Sequence, residues 1–306
     1  MTRKNIPFTT FIIIPNNYFI QNMMKKLVLS LFLLLGAVVV FAQKGKPLFK
    51  TPFGVQAYTF RKQFPKGVEA TLDTIKMLGF TELETSGAKG MSATTYRQLC
   101  DERGITIPSV GADFTTLAQN PQELVDLAKT FGASFVMCAW IPHNGNEFTL
   151  ADAQKAVEVF NKAGKFLKEN GLTFCYHDHG YEFHPLGKET LLDYIIQHTN
   201  PAYVSFEMDV LWTMQGGGNP VQLLNKYKNR WKLMHVKDLK KGATKDFTGH
   251  TPAENDVVLG TGEANWPVII KLANKHGIKH FFIEDESEHE MQNIPQSLNY
   301  LKGLKE

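Results

Sequence analysis

The chain has 306 residues, 43% of them hydrophobic and 21% charged, with a formal charge of +3. Arg3, Lys4, Lys25 and Lys26 lie in a first 42 residues that hold no acid, so without that segment the charge falls to −1 and nothing points to a nucleic-acid surface. The cysteines, Cys100, Cys138 and Cys175, are odd in number and sit in or beside apolar runs, which predicts buried free thiols.

Lys25 and Lys26 precede an uncharged run from Leu27 to Val40 that closes on Phe41 and Ala42. That is the pattern of a secretory signal, and the run is too short and wrongly flanked for a spanning helix. Cleavage is expected near Ala42–Gln43, leaving a secreted or periplasmic protein with no stable membrane insertion. Met23 or Met24 is a better start than Met1. The expected organisation is a signal over 1–42, a Lys/Gly/Pro linker over 43–52 and one catalytic domain over 53–306.

From there β-rich runs and helical patterns alternate. Strands are predicted at Phe53–Phe60, Thr81–Glu84, Thr106–Ala112, Ser134–Ala139, Leu172–His177, Val204–Asp209, Leu233–Lys237 and His280–Glu284. Helices are predicted between them at Val68–Leu78, Ala93–Arg103, Pro121–Phe131, Leu150–Asn170, Glu189–Thr199, Pro220–Asn229 and Pro267–His276, with a last one around Ile294–Leu304. Eight such repeats over about 264 residues predict an α/β fold, a single (β/α)8 TIM barrel. No glycine fingerprint follows the first strand, which argues against a dinucleotide fold.

Several late strands end in ionisable residues. Cys175, His177 and His179 share one face of strand five, Glu207 and Asp209 one face of strand six, and His235 and Lys237 one face of strand seven. Phe282 and Glu284 do so in strand eight, and Glu82 and Glu84 in strand two. If these ends line one mouth, the C-terminal rim holds histidines, carboxylates and a lysine that need a cation or mutual pairing. The mixed donors suit one divalent ion, Mn2+, Co2+, Fe2+ or Zn2+, better than Ca2+. Asp209 also reads as a helix N-cap, Glu84 as a rim ion-pair partner, and Trp140 and Trp212 as rings to stack on a sugar.

The segments YHDHGYEF (176–183), FEMD (206–209), HVKD (235–238), GTGEANW (260–266) and FIED (282–285) resemble the xylose-isomerase-like TIM barrels of sugar isomerases, epimerases and inosose dehydratases. The resemblance covers nearly all of 53–304. It implies metal ligation by Asp209, His235 and Glu284, with either His177 or Glu182 as fourth ligand. It implies a carbohydrate substrate and, from secreted members, elimination and hydration on 3-keto-glycosides.

The expected chemistry is proton abstraction beside a carbonyl, with His179, Lys237 and Glu84 as the proton-handling or substrate-binding groups. A nearby cation is expected to lower the pKa of both His179 and Lys237. A non-catalytic carbohydrate-binding barrel and an endonuclease IV-type phosphodiesterase are the alternative functions. The partner expected is a small carbohydrate, with a homodimer left open.

Overall fold

Eight short parallel strands form the centre of the molecule, which is described by a computed structural model over residues 45–49 and 53–305. They are β1 Gly54–Gln56, β2 Glu82–Glu84, β3 Ser109–Ala112, β4 Phe135–Cys138, β5 Thr173–His177, β6 Val204–Asp209, β7 Trp231–Val236 and β8 His280–Ile283. The expected signal over 1–42 lies outside the described residues, as do 43–44 and 50–52 of the linker.

Hydrogen bonding runs in the order β2-β1-β8-β7-β6-β5-β4-β3. The two outer members also meet: Leu83 N donates to Thr106 O and Gly111 N to Thr85 O, both at 2.9 Å. This nearly closes the sheet on itself, giving the expected (β/α)8 barrel. Alternation then sorts the side chains. Phe174 and Tyr176 of β5 point outward onto Phe160, with ring centroids 5.0 and 4.9 Å away. Cys175, Leu233 and Phe282, with Phe135, fill the lumen. A Cβ on Gly54 would stand 2.5 Å from the Phe282 ring, so glycine is needed where β1 crosses that plug.

Around the barrel run α1 Val68–Met77, α2 Ala93–Asp101, α3 Phe114–Gln119, α4 Pro121–Phe131, α5 Leu150–Glu169, α6 Leu191–His198, α7 Val210–Gln215, α8 Pro220–Lys226, α9 Trp266–Lys275 and α10 Glu290–Gly303. None of the described helices is long and apolar enough to cross a membrane. Cys100, Cys138 and Cys175 are buried free thiols, as expected.

Several boundaries differ from the sequence reading, for local reasons. The first strand stops at Gln56, because the Gln56 side chain accepts from Tyr58 N at 3.2 Å and starts a 3-10 turn over Ala57–Phe60. The helix expected from Glu189 begins at Leu191, because Thr190 and Asp193 form a reciprocal capping box. Helices α3 and α7 were not expected. Asp113 caps α3 and Asp209 caps α7, each through its side chain, and both helices follow their strands with no loop pattern to announce them.

Candidate metal centre

Strands β5 to β8 bring their final inward residues to one level of the lumen. His177 pairs in register with Glu207, Asp209 with His235, and His235 with Phe282. A register shift helps: Phe206 faces Trp231 but Glu207 faces Leu233, so Lys232 is the extra residue that sets Asp209 opposite His235. His177, Glu207, Asp209, His235, Glu284 and, from β2, Glu84 are all buried.

His177 Nε2 lies 3.9 Å and His235 Nδ1 3.7 Å from Asp209 Oδ2. His177 Nδ1 is 3.2 Å from Glu207 Oε2. His235 Nε2 is 2.6 Å from Glu84 Oε2 and 3.4 Å from Glu207 Oε2, while its Nδ1 is 3.3 Å from Glu284 Oε2. Two trios therefore have donor atoms mutually within 4.8 Å: His177, Asp209 and His235, and Glu84, Glu207 and His235. Asp209 serves two ends at once. Its Oδ1 accepts from Trp212 N at 3.0 Å as the α7 cap, leaving Oδ2 turned to the imidazoles.

Glu84 Oε1, Glu207 Oε1 and Asp209 Oδ2 are buried with no hydrogen-bond partner among the described residues. Asp209 Oδ2, bare beside imidazole nitrogens from two strands and joined by the carboxylates of Glu84 and Glu207, belongs to a donor set that suits a divalent cation, whose charge would offset the crowding of acids. Burial, then repulsion from Glu84, pushes the Glu207 carboxyl well above the ordinary range. Burial and the neighbouring His235 and His179 depress His177. For His235 burial acts against the charged form, but the carboxylates of Glu207 and Glu284 outweigh it and raise the pKa.

Of the two residues that the sequence offers as fourth ligand, His177 stands in the cluster and Glu182 does not. Glu182 lies on the outer side of β5, where both its oxygens accept from His179 N at 3.1 Å and one is bonded by the Tyr176 hydroxyl. Tyr176 in turn meets the Tyr181 hydroxyl at 3.0 Å, which accepts from Ile141 N at 2.8 Å. Burial raises Glu182 to about 7. Asp178, unmarked by the sequence reading, accepts from Asp209 N at 3.0 Å and from Thr213 Oγ1 at 2.5 Å and so sets the β6 end.

Glu284 sits at the edge of the cluster, bonded to His235 and, at 3.3 Å, to Lys237 Nζ. Lys237 also bonds Glu286 and has Asp256 Oδ2 at 3.9 Å. Burial opposes its charge, but Glu284 and Glu286 prevail and its pKa rises. Lys237 is thus ion-paired with acids that follow β7 and β8. His179 does shift down, to about 3, through burial first and the Lys237 charge second. Its ring stacks on Trp212 with centroids 4.7 Å apart, and Lys237 Nζ is 5.0 Å from the centre of the Trp212 ring. Trp212 is therefore already engaged by protein groups, and Trp140 stacks on His143 at 4.9 Å. Glu84 accepts from Gln56 Nε2 at 2.7 Å as well as meeting His235, a placement that orients the imidazole.

The last residue of the HVKD segment has an architectural task. Asp238 accepts from the backbone N–H of Gly260, Gly262 and Ala264 and from Trp266 Nε1, at 2.9 to 3.2 Å. A Cβ on Gly262 would stand 2.2 Å from its Oδ1. The GTGEANW stretch therefore wraps a buried carboxylate and closes the long β7 loop behind the cluster.

A family model for xylose isomerase-like TIM barrels matches residues 72–304. The chain belongs to this family. It is 26% identical over 171 residues to an inosose dehydratase of Mesomycoplasma hyopneumoniae, spanning 51% of this chain and only 56% of that relative. A sugar phosphate isomerase/epimerase from Parabacteroides distasonis superposes with a TM-score of 0.68 at 23% identity, covering 86% of this chain and 95% of its own. The IolI protein, solved with a bound zinc atom, superposes with a TM-score of 0.64 at 11% identity, covering 82% of this chain and 95% of its own. At such identities the two solved structures speak for the fold.

Proposed function

We propose that this protein is a divalent-metal-dependent carbohydrate isomerase, epimerase or lyase that acts by proton abstraction next to a carbonyl. The reading extends to export through residues 1–42 and to a non-phosphorylated keto sugar, such as a 3-keto-glycoside, as substrate. The observation that carries it is Asp209 Oδ2: buried, without a hydrogen-bond partner among the described residues, and within 3.9 Å of imidazole nitrogens from the two strands that flank β6. The inosose dehydratases among its relatives and the zinc in IolI support the same direction.

His177, Asp209, His235 and Glu284 would hold the ion, which would polarise a carbonyl and an adjacent hydroxyl. Lys237, kept cationic by Glu284 and Glu286, donates to a substrate oxygen. His179 Nδ1 is buried without a partner among the described residues, which leaves it open to a substrate proton. Glu182 and Tyr176 fix the backbone at His179, and Asp178 fixes that at Asp209.

The test is a screen of metal-reconstituted protein on free sugars, 3-keto-glycosides and inososes in D2O. Incorporation of deuterium beside the carbonyl, dependent on the added metal, is expected. Fully loaded protein that exchanges no proton and turns over none of these compounds would sink the proposal. Export is checked separately by sequencing the mature N-terminus, expected near Gln43.

A further inference from the structure

A cleft of about 300 Å3 opens beside the cluster, lined by Ala57, Tyr58, Arg61, Phe64, Pro65 and Lys89. These residues follow the C-terminal ends of β1 and β2, so the cleft shares the mouth of the barrel with the candidate centre. It adjoins that centre on two sides. Gln56, next to Ala57, donates to Glu84, and Arg61 Nη2 donates to the backbone oxygen of Glu286, whose side chain bonds Lys237.

The lining residues include two cations and no acid. Arg61 otherwise donates to the backbone oxygens of Tyr58 and Asp285, and Lys89 to that of Ser86 at 3.2 Å. Neither forms an ion pair among the described residues. Glu288, whose charge feels Arg61, is already bonded to Lys62 at 2.6 Å. Lys89 has a φ of 53°, a left-handed conformation that a long side chain adopts only at a cost, and its ammonium sits 5.4 Å from the centre of the Phe64 ring. Burial lowers its pKa, as expected for a desolvated cation with no counter-charge. Tyr58, in contrast, is 52% exposed, with Arg61 Cζ 5.0 Å from its ring centre. An unpaired, partly desolvated cation, a second cation and an open aromatic ring in one cleft match an anion on a small ring.

We infer that this cleft is an oxyanion subsite, in which Arg61 and Lys89 hold a carboxylate or sulfate on the substrate while Tyr58 packs against the ring bearing it. The inference rests on the carbohydrate reading above and deepens it: the substrate is an acidic saccharide. Its volume is that of a small-ligand site, sufficient for one sugar ring.

The test titrates the metal-loaded full chain with D-glucuronate, sodium sulfate and, as neutral control, D-glucose at constant ionic strength, by calorimetry and thermal shift. The anions are expected to bind and raise the Tm, and glucose to leave it unchanged. Lys89→Gln and Arg61→Gln should each weaken anion binding about tenfold or more with unchanged metal content, while Lys76→Gln on the outer face of α1 binds as wild type. Binding of glucuronate alone assigns a uronate, of sulfate alone a sulfate ester, and either supports the subsite. Wild-type protein indifferent to both anions, or Lys89→Gln with undiminished affinity, overturns it. Metal content is measured on the same samples, so loss of the subsite and failure of the metal reading are told apart.

Discussion

Four buried acids at the ends of β5 and β6 divide into two pairs, and the contrast between them organises the site. Asp178 and Glu182, beside the outer face, have every oxygen engaged by a protein donor: Asp209 N, Thr213 Oγ1, His179 N and the Tyr176 hydroxyl. Glu207 and Asp209, inside the lumen, each keep one oxygen without a partner among the described residues, and both carboxylates stand against His177 and His235. A buried carboxylate that is fully satisfied shapes the backbone; one left bare beside imidazoles is poised for a ligand from outside the chain. Burial alone does not separate the two kinds, since all four are buried.

The largest effect expected from this contrast is at the inner pair. Asp209→Ala or His235→Ala should empty the centre of metal and abolish turnover, with the far-ultraviolet circular dichroism of the barrel retained. Elemental analysis of the purified variants checks it, and wild-type metal content in both would break the distinction between inner and outer acids.

Next in size are the groups placed to touch substrate. His179→Ala and Lys237→Ala should keep the metal but lose turnover by about 10²-fold or more each, the usual scale of acid–base groups. Near wild-type rates in both would transfer the proton to a carboxylate, Glu284 or Glu84.

The outer pair should respond in stability before chemistry. Glu182→Ala strands His179 N and the Tyr176 hydroxyl and should cost roughly 1–3 kcal/mol in urea unfolding, with metal retained. Because burial raises Glu182 to about 7 from an ordinary value of 4.5, the folded protein holds that proton more tightly than the unfolded chain. Its contribution to stability is therefore lost as pH rises through that interval. Glu182→Gln should flatten that part of the pH–stability curve. An unchanged slope would place the titration elsewhere.

The smallest effect concerns Asp256, which reaches Lys237 at 3.9 Å and accepts from Glu286 N at 2.6 Å. Asp256→Asn leaves Lys237 its bonds to Glu284 and Glu286, so a loss in turnover of about tenfold or less is expected, below that of Lys237→Ala. Equal losses would make Asp256, and not the lysine, the group that matters.

The barrel was legible because it rests on repetition. Eight apolar runs, each followed by a helical pattern and several of the late ones ending in an ionisable group, leave few folds open. The inward set at the ends of β5 to β8 was legible too, through the period of two. The short helix α7 was not: it begins at Val210, directly after Asp209, which ends β6 and caps it, so no spacing separates strand from helix.

By itself the sequence determined the fold class, the burial of its thiols and the alignment of His177, Asp209, His235, Lys237 and Glu284 along one mouth, since these depend on periodicity within single elements. Only the tertiary structure decided what each acid does. Glu182 lies five positions after His177 and looks as available as any carboxylate in the chain, yet a hydroxyl from the far side of β5 and a backbone N–H claim it. Glu286 follows β8 and Asp256 lies in a two-residue strand paired with Asp238–Leu239, neither within a motif, yet the folded chain brings both to Lys237. Which donors reach a buried oxygen is a matter of distances between elements far apart in sequence, and those are set by packing of the barrel and its loops.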